Sequence, residues 1–113
     1  MIGEQIMNET TVVNVVDNDP ALLLVSGSKG DKSVDKEYVK KLGNALLQVF
    51  YKHKVARMRC VGAAALNNAT KAFIIAKGEA QKKGDRLISE DSFTTVTFGD
   101  VEKTGILKEI SGL

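Results

Sequence analysis

The hydrophobic residues of this 113-residue chain follow two different periods along its middle section. Residues 55–61 alternate between valine or arginine and smaller or apolar side chains, which is the period-two pattern of a half-buried strand. After Gly62 the apolar residues recur every three or four positions, the spacing of one helical face. That face consists of Leu66, Ala69, Phe73, Ala76 and Ala80. The pattern therefore predicts a strand that turns at Gly62 directly into a helix.

Two further elements are predicted before this strand. A short apolar run at residues 21–25, bounded by turn-forming residues, is typical of a buried strand. Ser33 is the expected N-cap of the next helix, in which apolar residues recur at helical spacing as far as Phe50. This helix is expected to end in Lys52-His53-Lys54, where positive charges suit the helix dipole.

The last third of the chain predicts a β-hairpin. Residues 87–98 form its first strand, with a bulge near Glu90 and Asp91, and a tight turn at Gly99 leads to a return strand over residues 102–110. The element order is therefore β-α-β-α-β-β. It predicts an α+β fold of two layers, a four-stranded mixed sheet with two helices on one face.

The pattern predicts one domain, residues 20–113. The β-prone run Thr11–Val16 is expected to form an added strand or a contact with a partner chain. The N-terminus lacks the basic start and apolar run of a signal peptide, and no stretch is long enough to span a bilayer. The sole cysteine, Cys60, cannot form an internal disulfide, so we expect a cytoplasmic protein with a buried thiol.

The net charge of +2 conceals an uneven distribution. Residues 20–88 carry fourteen Lys and Arg against five Asp and Glu, whereas residues 1–19 carry four acids and no base. Residues 89–113 carry two Lys against five acids. A basic middle with acidic ends indicates a nucleic-acid surface on the central elements. The alternative is a solvated helical face on which the lysines serve only solubility.

The segment after the central strand carries a family resemblance. Gly62-Ala-Ala-Ala-Leu-Asn-Asn-Ala-Thr-Lys-Ala72, continued by Ala76-Lys-Gly78, resembles the signature segment of the stage V sporulation protein S family, a branch of the Alba-like nucleic-acid-binding fold. The resemblance covers roughly residues 20–110. Because the resembled family usually starts close to its first strand, the resemblance implies that residues 1–19 are an N-terminal extension. It implies an Alba-like architecture, a dimer, and binding of DNA or RNA mainly through phosphates. The alanines also have a structural interpretation, because small side chains permit close contact between a helix and a sheet.

Eight residues are expected to contact nucleic acid. In Alba-like proteins the loop after the first strand carries lysines that contact the ligand, and the final hairpin adds basic residues. The candidate set is Lys29, Lys32, Arg57, Arg59, Asn67, Asn68, Lys71 and Lys103. The two arginines lie on one face of the central strand, where an exposed sheet face or an ion pair is the alternative interpretation. Amides at the start of the second helix are expected to attract anions.

The chemistry of the chain gives little support to catalysis. The loop from Gly27 to Ser33 departs from a phosphate-binding Walker loop, since Ser26 and Asp31 stand where that pattern requires glycines. His53 is the only histidine, and no spacing resembles a metal site. We therefore expect neither an enzyme nor a metal or cofactor site.

The sequence thus predicts a nucleic-acid-binding protein and leaves DNA and RNA as alternatives. The resemblance implies a regulator linked to sporulation. The rival hypothesis is a protein-interaction module without nucleic-acid binding. Ile74 and Ile75 fall outside the apolar stripe of the second helix, which predicts that a homodimer or higher oligomer covers them.

Overall fold

The computed structural model describes residues 19–28 and 30–113. Six elements follow one another in this part of the chain. They are β1 Leu22–Val25, α1 Lys32–His53, β2 Val55–Cys60, α2 Ala63–Lys82, β3 Leu87–Phe98 and β4 Val101–Gly112. The predicted β-α-β-α-β-β order is confirmed. The predicted β-element at residues 11–16 and the candidate residue Lys29 lie outside the described residues.

The four strands form one mixed sheet in the order β1-β2-β4-β3. β1 and β2 are parallel, and β4 is antiparallel to both β2 and β3. Because β1 and β2 are parallel and each is followed by a helix, α1 and α2 run in the same direction and begin at the same edge of the sheet. Val25 pairs with Cys60 at that edge. No helix in the described part of the chain is long and apolar enough to cross a membrane.

The two faces of β2 have different environments, as its alternation predicts. Ala56, Met58 and Cys60 are at most 1% exposed and belong to the core under the helices. Arg57 and Arg59 therefore lie on the opposite face of the sheet.

Helix α2 packs on the core through alanines. The five side chains of this alanine face are at most 2% exposed, and they are Ala65, Ala69, Ala72, Ala76 and Ala80. Leu66 and Phe73, which the pattern places in the stripe, are only partly buried and pack against the core from one side. Small side chains let the helix axis approach the sheet more closely than leucine would.

The contact between the helices corrects the prediction for Ile75. A Cβ built at Gly43 of α1 would lie 3.0 Å from Ile75 Cγ2 and 3.2 Å from the carbonyl oxygen of Ala72. Ile75 therefore packs on α1 at a position where α1 has no side chain. Ile74 is 61% exposed, as its place outside the stripe predicts.

The N-cap of α1 lies two residues before the expected one. Asp31 is the N-cap, and its Oδ1 accepts hydrogen bonds from the backbone N–H groups of Ser33 at 2.8 Å and Val34 at 3.3 Å. The Ser33 hydroxyl donates to the same oxygen at 2.8 Å. The prediction of Ser33 as the N-cap was wrong, because the Asp31 carboxylate can accept all three hydrogen bonds and also carries the negative charge that suits a helix start.

The hairpin has no bulge. Its register is continuous from the pair Leu87–Gly112 to the pair Phe98–Val101, and Gly99 at the two-residue turn has φ 63°. The predicted bulge near Asp91 is wrong because Asp91 pairs in register with Lys108, where an ion pair holds it. Glycine suits this turn because a side chain is strained at positive φ.

Two mid-helix glycines give opposite predictions. We expect Gly43→Ala to destabilise the fold by about 1–3 kcal/mol, because the added methyl group overpacks the contact with α2. Gly78→Ala on the exposed side of α2 meets no atom within 4 Å. It should stabilise the fold by about 0.5–1 kcal/mol through helix propensity.

Urea denaturation of both variants measures the two free energies of unfolding. Equal effects of the two substitutions would contradict the close contact between α1 and α2.

Candidate nucleic-acid interface

The loop between β1 and α1 is attached to both helices through Ser26. The Ser26 backbone N–H donates to Tyr38 Oη of α1 at 2.8 Å, and its carbonyl oxygen accepts from Asn68 Nδ2 of α2 at 2.9 Å. Farther along the loop, Ser28 Oγ donates to Asp35 at 2.6 Å and accepts from the N–H of Gly30 at 3.0 Å. The residues on both sides of Lys29 are thus held in place by hydrogen bonds.

The same loop lies against the start of α2. A Cβ built at Gly27 would be 3.3 Å from Ala64 Cβ, so backbone and small side chains meet here. Gly62, the N-cap of α2, has φ 93°, a conformation that favours glycine. Two connections, one after each parallel strand, therefore lie side by side at one edge of the sheet. This edge is where open α/β sheets commonly bind ligands.

The two helix starts differ electrostatically. The start of α1 is occupied by its own Asp31 carboxylate, whose pKa is lowered by the hydrogen bond from the Ser33 side chain and by those from the Val34 and Ser33 backbones. The start of α2 has no side-chain cap and no acidic residue in its first turn. The positive end of its dipole is therefore open to an anion.

Exposed lysines surround this edge on the helical side. Lys32 is the first residue of α1, and Lys36 and Lys40 follow it at four-residue spacing, so the three share one side of the helix. Ile75 of α2 contacts Gly43 of α1. Exposed lysines lie one turn before this contact on both helices, Lys71 on α2 and Lys40 on α1.

We call Lys32, Lys36, Lys40 and Lys71 the lysine cluster. None of its ammonium groups lies within 4.0 Å of a carboxylate among residues 19–28 and 30–113. Lys36 and Lys40 were not in the candidate set. Their repeat at four-residue spacing after Lys32 is the sequence signal that could have found them.

The candidate arginines do not join this cluster. Arg57 and Arg59 lie on the face of the sheet opposite the helices. Arg57 Nη1 contacts Asp19 Oδ2 at 2.8 Å, and its Nε contacts Glu109 Oε2 at 3.1 Å. The guanidinium charge of Arg57 is therefore balanced by two carboxylates, as the ion-pair interpretation predicts.

The two neighbouring asparagines have different environments. Asn67 is exposed on the first turns of α2, beside the lysine cluster. Asn68 is 5% exposed and its amide is directed at the Ser26 carbonyl, so it holds the loop in place. Lys103 lies on the hairpin, and its Nζ is 5.7 Å from the ring centroid of Phe98.

The hairpin projects past the edge at which β1 and β2 end. β2 ends at Cys60, which pairs with Ile106, so five residue pairs of the hairpin continue beyond it. At about 3.3 Å per residue this arm is about 16 Å long. The arm carries exposed acids at Asp100 and Glu102 and one exposed base, Lys103, on the face opposite the helices. One edge of the molecule therefore has a basic helical side and an acidic arm.

An ion pair lies at the base of the arm, on the helical face of the sheet. Lys108 Nζ contacts Asp91 Oδ2 at 2.9 Å, with side-chain exposures of 9% and 47%. Burial acts to raise the pKa of Asp91, but hydrogen bonds from Lys108 and Ser89 and the nearby positive charge lower it below its ordinary value. Burial also raises the pKa of the Cys60 thiol, which keeps it protonated at neutral pH.

Comparison with models of protein families assigns the chain to a family. The family model of stage V sporulation protein S (SpoVS) matches residues 33–111, more than half of the chain. The chain belongs to this family. The match spans α1, β2, α2 and nearly all of the hairpin, and it starts after the β1–α1 loop. No curated protein sequence matches the chain. Membership of the SpoVS family implies a role related to sporulation.

The two adjacent asparagines of this SpoVS-family chain, Asn67 and Asn68, provide a test of the hydrogen bond that attaches the β1–α1 loop to α2. Asn68→Ala should destabilise the fold by about 1–2 kcal/mol, because the Ser26 carbonyl loses its donor. Asn67→Ala, at an exposed position, should change stability by no more than about 0.5 kcal/mol. Urea denaturation measures both values, and hydrogen exchange should be faster at Gly27 and Ser28 only in Asn68→Ala. Equal exchange in the two variants would show that Asn68 does not anchor the loop.

The ion pair at the base of the arm predicts a loss of stability in acid. Because the folded-state pKa of Asp91 lies below its unfolded value of about 3.9, its carboxylate stabilises the fold above that pH. This contribution is lost as the pH falls through the folded-state pKa. Asp91→Asn should cost about 1–3 kcal/mol at neutral pH, less than a fully buried pair, because Asp91 is half exposed.

The control combines Asp91→Asn with Lys108→Met and should recover most of this loss, since no buried charge remains. Urea denaturation at neutral pH and below about pH 4 measures the difference. If the free energy of unfolding falls by the same amount in acid for the wild type and for Asp91→Asn, the proposed role of this ion pair is contradicted.

Proposed function

We propose that this SpoVS-family chain binds nucleic acid through the phosphate backbone, at the edge where β1 and β2 end. The observation that carries the proposal is the lysine cluster beside the uncapped start of α2. Lysine side chains and helix-start amides are the groups with which proteins hold phosphates.

The energetics of α1 support a role for the cluster beyond folding. Lys32 and Lys36 lie in the first turns of α1, where the helix dipole disfavours positive charge. Like charges four residues apart cost about 0.2–0.5 kcal/mol per pair in addition. In the described part of the chain no carboxylate offsets this repulsion within 4.0 Å. A polyanion bound along α1 would offset it.

The geometry favours readout of the backbone over readout of bases. The groups that point outward from the cluster are ammonium ions and amides, which attract any phosphate regardless of the neighbouring base. Asn67 is the one exposed amide side chain of the candidate set. Binding should therefore depend weakly on sequence. In this proposal the protein acts in the cytoplasm, and its contribution to sporulation is exerted through nucleic acid.

The second candidate function is a module for protein assembly. Ile74 favours it, because an isoleucine that is 61% exposed in the middle of a helix is suited to contact with another chain. The two functions are compatible, since Ile74 can lie between the subunits of a homodimer while the lysines of both copies bind one ligand. Sedimentation velocity of the free protein measures the assembly directly.

A titration against DNA and RNA at several salt concentrations tests the proposal. We expect a steep salt dependence. In a plot of log affinity against log salt concentration, each phosphate neutralised contributes a slope of about −0.9 on duplex DNA and about −0.7 on single strands. Lys36→Ala with Lys40→Ala should reduce this slope and weaken binding to unrelated sequences equally. The fold should persist, because exposed lysines contribute little to stability.

The charge-matched control is Lys52→Ala with Lys82→Ala, at the far ends of the two helices. It removes the same charge and should leave most of the slope in place. Equal effects of the two double variants would assign binding to net charge alone. No binding of DNA or RNA at low salt by folded protein would reject the proposal and favour the assembly module.

A further inference from the structure

Phe93 is the most exposed large hydrophobic residue in the described part of the chain, at 81%. It pairs across the hairpin with Ile106, which in turn pairs with Cys60 at the end of β2. Directly paired residues lie on the same face of a sheet, so Phe93 is on the helical face, level with the start of α2. Two strand spacings of about 4.8 Å separate it from Cys60.

Phe93 has one apolar neighbour on its face of the hairpin, the partly buried Ile106 directly across from it. Its other neighbours on this face are Asp91 and Thr95 on its own strand and Thr104 and Lys108 diagonally across the hairpin. A stable contact between protein subunits needs about 800 Å² on each partner with an apolar centre, and one partly buried isoleucine among threonines and an ion pair does not supply one. A single accessible aromatic ring with hydroxyl neighbours fits a smaller, flat and polar-edged ligand.

The ring of Phe93 is also accessible on its faces. In the described part of the chain no aromatic ring or cation stacks on Phe93, whereas Lys103 Nζ lies over the ring of Phe98. A nucleobase is the flat ligand that stacks on such a ring in nucleic-acid-binding proteins.

The charges at this edge orient the ligand. Phosphates are attracted to the lysine cluster and the start of α2, and they are repelled from the arm by Asp100 and Glu102. Lys103 on the same arm lies on the face opposite the helices and Phe93. A nucleic-acid strand whose phosphates lie along the helices therefore has its bases toward the arm and Phe93. Bases that extend sideways in this way cannot be paired in a duplex.

We infer that the chain prefers single-stranded nucleic acid and that Phe93 stacks on one of its unpaired bases. This inference rests on the proposed function and adds the class of ligand and the side chain that selects it. The lysine cluster provides affinity for any polyanion, while Phe93 discriminates unpaired from paired strands.

The test compares a labelled unpaired oligonucleotide with a duplex of the same sequence by fluorescence anisotropy at low salt. The wild type should bind the single strand more tightly. Phe93→Ala should weaken single-strand binding about 10-fold, on the scale of one base–aromatic stack, and duplex binding less than about two-fold. Val101→Ala is the matched control, because Val101 is 53% exposed on the other face of the same hairpin. It should change neither affinity.

A tryptophan at this position gives a direct readout. The chain contains no tryptophan, so the fluorescence of Phe93→Trp reports on this site alone. We expect Phe93→Trp to retain single-strand affinity and its emission to be quenched by the unpaired oligonucleotide. Thermal unfolding confirms that each variant is folded.

Several outcomes would overturn the inference. Equal affinity of the wild type for both ligands, or an unchanged single-strand affinity in Phe93→Ala, would reject base stacking while leaving phosphate binding intact. A change in sedimentation of Phe93→Ala without a change in affinity would assign Phe93 to a contact between copies of the chain. If the wild type binds neither ligand, the proposed function itself fails.

Discussion

The close packing of α2 against the rest of the fold is the constraint on which the structure depends. Five alanines on one face of α2 are almost completely buried, and Gly43 of α1 leaves room for Ile75 beside them. Small side chains on both helices bring α1, α2 and the sheet close together, and interiors packed at this density tolerate few added atoms. The alanines of the signature segment therefore have a structural role.

This packing positions the candidate interface. Because α2 lies close to the sheet, its start reaches the loop after β1, and Asn68 fixes that loop through Ser26. The ion pair between Asp91 and Lys108 holds the base of the arm in register at the same edge. Backbone amides, lysines and an aromatic ring from separate elements thus converge where the parallel strands end.

Electrostatics separates residues that the sequence grouped together. Arg57 lies across the sheet from Lys71, and two carboxylates balance its charge. Lys36 and Lys40 have no such partner in the described part of the chain. The distinction matters for function, because an arginine held in ion pairs must exchange them for a phosphate, whereas the lysines lose only hydration.

The sequence by itself determined the element order, the faces of β2 and the family, since periodicity and the segment after Gly62 are local properties. Only the tertiary structure decided that Asp31 caps α1, that the hairpin is unbroken and that Ile75 contacts α1, because each depends on a choice among alternative partners. It also decided which basic residues share a surface. Lys40 and Lys71 are distant in sequence, and they lie one turn from the same interhelical contact only because the helices pack. Asn67 and Asn68 are adjacent in sequence, and burial separates their environments.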